Sequence, residues 1–432
     1  DATVTSCSAY SRYLNAKGGG VYAKGGVTLT RSTVSSNTAS GGSGRGGGVY
    51  AQGTLLLDHS HLNGNSVDTA GDAKGGGAYA LNDLSTLLST VSGNSATSSL
   101  GNAKGGGIYA TGMSFLETTT VSGNSINGYT NSKGGGLYAK NPVTLQVSAL
   151  ADNKANGALP KGGGAYTTSN FNSNFSTISG NHAYGASASG GGLFLEGAYN
   201  SIDKSTVSNN ISDGSYGGID AVTSPSGSAN FLLSNSTISH NHAAFNVGAV
   251  YVNSGTTNFF NSTIASNSAG SSTPGLELNS TLGPIAVAMK SNLMSNNTYG
   301  ATENDLKLVT GAFSITINSG NLAAAANNLV RVTIDPSKLP DDTLSDCPRL
   351  GQLRNNGGLT LTHALLSHSV AIDKGNNTFG SLYDQRGPAS VNGVLDYTRF
   401  SGTGPLADIG AYEVQQNDIV YNDDFDGCPP LS

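Results

Sequence analysis

Short alternations of apolar and polar residues run along most of the chain. Val27-Thr28-Leu29-Thr30 and Thr33-Val34-Ser35 are typical: β-branched, period two, and bounded by Gly, Asn and Ser. Alternation of this kind predicts short strands with one face inward, not helices, whose apolar positions would recur every three to four residues.

The alternations repeat at a fixed interval. Gly-Gly-Gly begins at Gly18, Gly46, Gly75, Gly105, Gly134, Gly162 and Gly190, in steps of 28, 29, 30, 29, 28 and 28 residues. An apolar residue and then an aromatic follow each triplet, from Val21-Tyr22 to Leu193-Phe194. A second column places Asn at positions 37, 65, 94, 124, 153, 181, 210, 241, 267 and 296, each three residues after an apolar residue, Val34 to Leu293. A period that holds several short strands and no helix is one coil of a parallel β-solenoid. The expected fold is therefore all-β, a right-handed parallel β-helix of ten or eleven coils, the hand following from the preference of parallel β connections. Alternation places Val21 and Ala23 inward and Tyr22 outward. The Gly triplet marks a turn with positive φ or close backbone approach, and stacked Asn amides predict a hydrogen-bonded ladder. The pattern fades after about residue 300, so residues 1–305 read as the β-helix, 306–417 as a capping region over the last coil, and 418–432 as an acidic tail.

Composition narrows the classes. Of 432 residues 61 are Gly and only 11% are charged, unlike an ordinary helical or α/β enzyme. A net charge of −6 gives no global reason to bind nucleic acid. No apolar run is long enough to span a membrane. The spacing of Cys7, Cys347 and Cys428 fits no metal site, and no cofactor is expected; the last two could pair, leaving Cys7 over. The opening DATVTSCSAY starts within a repeat, which predicts an upstream segment.

The stretches Leu350 to Gly358, Thr362 to Gly375, Asp384-Gln385-Arg386-Gly387 and Asp408 to Glu413 stand in the order of a C-terminal signature. This run resembles the secreted bacterial β-helix proteins described as choice-of-anchor Q domain proteins. The Gly-Gly-Gly-apolar and Asn columns also resemble the repeats of polymorphic outer-membrane proteins. The resemblance implies secretion and a life at the bacterial cell surface, and it names no reaction. Within the signature, Asp384 and Arg386 read as a buried pair that pins the cap, a better account of His363, Asp373, Asp384, Arg386 and Asp408 than a catalytic site.

Two constellations carry candidate chemistry. The first is a basic column: Lys17, Arg45, Lys74, Lys104, Lys133 and Lys161 precede the first six Gly triplets. In a solenoid they stack ~4.8 Å apart at the backbone, and two unit charges at that distance repel by roughly 0.8 kcal/mol in water. Beside them runs the aromatic column Tyr22, Tyr50, Tyr79, Tyr109, Tyr138 and Tyr166. Cations that pair carboxylates or sulfates, next to flat rings that stack on sugars, point to an acidic polysaccharide as ligand, or to another cell-surface component. The plainer account is that Lys and Arg keep a sheet edge soluble and Tyr suits strands.

The second is acidic. Asp220 takes the aromatic position one coil after Phe194, and Glu196 lies two residues past Phe194 on the same face. Strand spacing and rise place their Cβ atoms roughly 8 Å apart, within the ~6.5–9.5 Å expected of an inverting glycosidase. Asp203, His182 and His240 lie in neighbouring coils and complete a candidate catalytic set. The leading expectation is a secreted or surface-displayed binding and adhesion rod; the alternative is a polysaccharide lyase or inverting glycoside hydrolase.

Overall fold

A computed structural model describes residues 1–222, 230–318, 326–377, 380–388, 397–399, 407–415, 418 and 425–426. The chain is a parallel β-solenoid, with sheets up to 16 strands and two of 11 strands, one strand from each of about 11 turns. Helix among the described residues is confined to the single turn Pro336–Lys338. Two compact units are distinguished. The first comprises Asp1–Asn172, Thr177–Gly197 and Asn209–Asp220, the second Ser173–Ser176, Ala198–Ser208 and Ala221–Ser432.

In the first unit one coil reads Ile108–Ala110, Ser114–Glu117, Thr120–Ser122, Ser125–Gly128 and Ser132–Lys133. Each strand pairs in parallel with its counterpart one repeat on: Ile108 with Leu137, Ser114 with Val143, Thr120 with Ala149, Ser125 with Lys154 and Ser132 with Pro160. Val91, Ile108, Leu116, Val121 and Leu145 are fully buried and fill the narrow interior.

The Asn column is a continuous amide ladder. The Asn124 Oδ1 accepts both the backbone N–H of Asn94 (3.0 Å) and its Nδ2 (2.9 Å), while the Asn124 Nδ2 donates to Val91 O and Asn153 Oδ1 (2.9 Å each). The same bonds link Asn37, Asn65, Asn94, Asn124, Asn153, Asn181 and Asn210. Every amide atom of Asn124 is thereby used, which removes the penalty for burying an amide in an apolar core. The glycines divide the work at the next corner. The first of each triplet holds a left-handed φ, +66° at Gly46. At the second, a Cβ on Gly47 would lie 2.2 Å from Ser66 O, and at the third, a Cβ on Gly48 would lie 2.9 Å from the Asn65 amide carbon. The Gly triplet and the Asn column are thus two sides of one packed corner.

In the second unit the same plan continues with altered contents. Strands Thr237–Ser239, Thr263–Ala265 and Leu293–Ser295 stack in parallel, and the amide ladder runs Asn241, Asn267, Asn297. Its last member is therefore Asn297, one residue later than the periodicity predicts. Ile264 pairs with Met294, so Met294 and not Leu293 continues the column of Ile264 inside the coil, and three residues on is Asn297. The sequence Leu293-Met294-Ser295-Asn296-Asn297 offers two adjacent apolar residues and two adjacent amides, and only the pairing register chooses between them. The ladder ends on a carboxylate: Asn297 Nδ2 donates to Asp305 Oδ1 at 2.7 Å. Coils also persist beyond residue 305. Leu306–Val309 pairs with Leu276–Asn279, Ile315–Ile317 with Ile285–Lys290, and Leu329–Val330 with Leu293–Ser295.

The C-terminal segment does more than cover the last coil. It lies along the flank of the second unit, on the column Thr206, Thr237 and Thr263. Thr206 Oγ1 donates to Leu361 O (2.7 Å), Thr237 Oγ1 to Gln385 Oε1 (2.6 Å), and the Ala411 N–H to Thr263 Oγ1 (3.0 Å). Leu350, Ala371, Ile409 and Tyr412 of the segment form one apolar cluster with Leu293 and Leu329. The expected Asp384–Arg386 pair is present at 2.7 Å with both side chains fully buried. Arg386 also donates to Glu413 O and Asp418, and its guanidinium lies 4.0 Å from the ring centres of Tyr397 and Tyr412. Arg399 pairs with Glu413 at 3.3 Å, again buried. Cys347 is disulfide-bonded and Cys7 is free and exposed; the expected partner Cys428, like most of the acidic tail, lies outside the described residues.

Candidate functional site

The basic column forms in register: Lys17, Arg45, Lys74, Lys104, Lys133 and Lys161 are direct neighbours on successive strands. The aromatic column forms as well, but not as a sugar platform. The rings of Tyr22, Tyr50, Tyr79, Tyr109, Tyr138, Tyr166 and Phe194 stack on one another with centroids 4.8–5.4 Å apart. Each interior ring face is filled by the next ring, because the stacking distance of aromatics nearly equals the strand spacing. Tyr50 to Tyr166 are at most 5% exposed; only Tyr22, at the first rung, is half-exposed. The expectation that these tyrosines offer flat faces to a glycan is corrected accordingly.

The cations help to cover the rings. Five of the six reach over the ring one coil on: Lys17 over Tyr50 (5.2 Å), Arg45 over Tyr79 (5.6 Å), Lys104 over Tyr138 (5.2 Å), Lys133 over Tyr166 (4.4 Å) and Lys161 over Phe194 (4.3 Å). A ring quadrupole attracts a cation by about 0.5–1 kcal/mol at exposed sites, which offsets the repulsion between neighbours. Compensation by carboxylates is sparse. Among the described residues only Lys74 of the six forms a salt bridge, to Asp72 at 2.8 Å. Burial works to raise the Asp72 carboxyl, but hydrogen bonds from Lys74 and Asn102 outweigh it and bring the group down to about 2. Burial, and then Lys133 and Lys74, hold the Lys104 ammonium below the usual lysine range. Asp72 is a member of this site that the repeat pattern did not mark, since it occurs in one coil only.

The five acid–base candidates are not gathered into one catalytic centre. His182 is tied to Asp213 (2.7 Å) and stacks on Tyr184. Asp203 pairs with Lys204 (2.8 Å), and His240 faces Ser239 (2.7 Å). The strands of His182 and Asp203 belong to different sheets from that of Asp220, Ile219–Ala221, and His240 lies just past the strand Thr237–Ser239. Glu196 and Asp220 do interact, within a cluster that also holds Tyr166, Lys161 and Ser189. Ser189 donates to Asp220 Oδ2, while Asp220 Oδ1 is buried without a partner among the described residues. Burial pushes the Asp220 carboxyl up to about 7; Ser189 and Lys161 oppose the rise and Glu196 adds to it. At 2% exposure Asp220 does not reach a glycosidic oxygen, and a general acid must. The geometry thus makes this cluster the end of the ring ladder. Ser189 replaces the cation and Asp220 replaces the ring.

No protein-family profile, curated protein or solved structure matches the chain.

Proposed function

We propose that this chain is a secreted or surface-displayed binding rod that engages a linear polyanion, in the first place an acidic polysaccharide, along the cationic column of its first unit. One observation carries the reading: six cations held in register at strand spacing, with Asp72 as their single salt-bridge partner among the described residues. Burial first, and then the neighbouring Lys133 and Lys74, disfavour the charged form of Lys104, and a bound row of carboxylates or sulfates would relieve the repulsion between neighbours. The ring stack beneath serves as a rigid support, so the charges and not the ring faces recognise the ligand. The disulfide at Cys347 supports an oxidising, extracytoplasmic setting.

The test is thermal unfolding of the full chain with polygalacturonate or with neutral dextran, together with sizing of the polymer. A ligand that binds only the folded state raises the melting temperature. Polygalacturonate is expected to do so at low salt and to lose the effect at high salt, whereas dextran leaves the temperature unchanged. Lys104→Met with Lys133→Met is expected to weaken binding by about tenfold, on the order of 1.4 kcal/mol. Equal effects of the two polymers, or none from either, would overturn the reading. Shortened polymer would instead make the chain a polysaccharide-degrading enzyme.

A further inference from the structure

A groove of about 400 Å³ lies on the second unit, where three successive strands of one sheet end. The strands are Tyr199–Asp203, Asn230–Ser234 and Gly255–Phe260, with Asp203 paired to Ser234 and Ser234 to Phe260. Side chains two apart share a face, so Asp203, Leu232, Ser234 and Phe260 line the groove from the strands. The next residue on each strand, Lys204, Asn235 and Asn261, turns the corner with φ of +43° to +46°.

The polar groups of this groove are organised around Asp203. Its Oδ2 accepts from Lys204 Nζ (2.8 Å), and its Oδ1 accepts from Ser234 Oγ (2.7 Å) and Asn235 Nδ2 (3.3 Å). A carboxylate has about four lone-pair sites, so one is left. Lys204 uses one of three N–H donors on Asp203 and spans the Phe175 ring at 5.5 Å. Asn235 is 5% exposed, and its Oδ1 is buried with no partner among the described residues. Unlike the sealed Asp220, the Asp203 and Lys204 side chains are 28% and 20% exposed and so accessible.

We propose that this groove is a binding site for a neutral hexopyranose ring, alone or as the terminal sugar of a glycan. Net charge decides against an ion: Lys204 neutralises Asp203 within the groove. An adjacent donor and two adjacent acceptors match neighbouring hydroxyls, each of which donates and accepts. A buried amide oxygen left without a partner destabilises the fold, and a ligand hydroxyl bonded to it removes that cost. Phe260 and Leu232 supply the apolar wall that the C–H face of a pyranose requires, and the volume is in the range of small-ligand sites. The site lies apart from the cationic column in residues and in ligand charge, and it stands or falls independently of the polyanion reading.

The test is titration of the full chain with methyl glucopyranoside, galactopyranoside and mannopyranoside, followed by NMR line broadening and calorimetry. At least one is expected to saturate. Asn235→Leu and Lys204→Met are each expected to weaken it by about tenfold, with Lys104→Met having no effect. Asn235 is buried at a corner, so its variant is checked by melting temperature; if it unfolds, Lys204→Met alone decides. Saturation by none of the three glycosides, or saturation that Lys204→Met leaves unchanged, overturns the proposal.

Discussion

The same corner column is treated differently in the two units. In the first, Thr90 and Thr120 remain partly exposed on the flank. In the second, Thr206, Thr237 and Thr263 are buried under the C-terminal segment and bonded to it. The interiors differ accordingly. The first unit runs a buried ladder of neutral amides, each bonded to the next coil. The second adds buried ions: Asp384 with Arg386, Glu413 with Arg399, and Glu303 with Arg331. A repeat solves one local problem many times with the same residue. A segment that folds back across the repeats meets each coil once, so each contact is specified by its own pair. Gln385, for example, reaches residues about 150 to 180 positions away.

That contrast can be broken at its strongest point. Arg386→Met leaves Asp384 buried beside an apolar side chain. Removing one partner of a buried pair costs about 3–5 kcal/mol. Denaturant unfolding should show a loss of that size. A loss under 1 kcal/mol would mean that water enters and that the C-terminal segment is loosely held.

The two ladder ends give the next test. Asp220 ends the ring ladder and Asp305 ends the amide ladder, and burial pushes both carboxyls up from 3.8 to about 7. The folded state therefore binds more protons than the unfolded state between those values. Each group contributes stability that is fully present below about 4 and lost as pH rises through about 7. Stability should fall across this window by up to ~1.4 kcal/mol per pH unit for each group. Asp220→Asn should flatten the slope by one group's share. An unchanged slope would show that Asp220 is ionised in the folded chain.

The smallest expected effect is on a single rung. Asn124→Ala leaves the Asn94 N–H and amide, Val91 O and Asn153 Oδ1 each without one bond. Partial relaxation keeps the cost to about 2–3 kcal/mol, near that of one or two orphaned groups. Calorimetry of this variant measures whether the ladder acts rung by rung. A cost much above that value would mean that the rungs reinforce one another.

Much of this protein was legible because it repeats. The Gly triplet, the Asn column and the ring column each recur at a spacing that only stacked coils explain, and a column of one residue type leaves one geometry in which all its members are satisfied. Position 296 against 297 marks the limit: where two amides and two apolar residues stand side by side, periodicity no longer fixes the register. The cationic column was legible too, but the burial of the tyrosines was not. Strand alternation gives the side of the sheet, and it carries no information on whether neighbouring side chains roof that side over.

The sequence by itself determined the solenoid, its period, and the rows that run along it, since these follow from residue type and spacing alone. Tertiary structure decided which acids are sealed and which are reachable, where the C-terminal segment lies, and that Asp203, Lys204 and Asn235 share a groove. The physical reason is range. A periodic row is fixed by contacts between neighbouring coils and is written once per repeat. Burial and site assembly depend on residues far apart in the chain, whose meeting leaves no periodic trace.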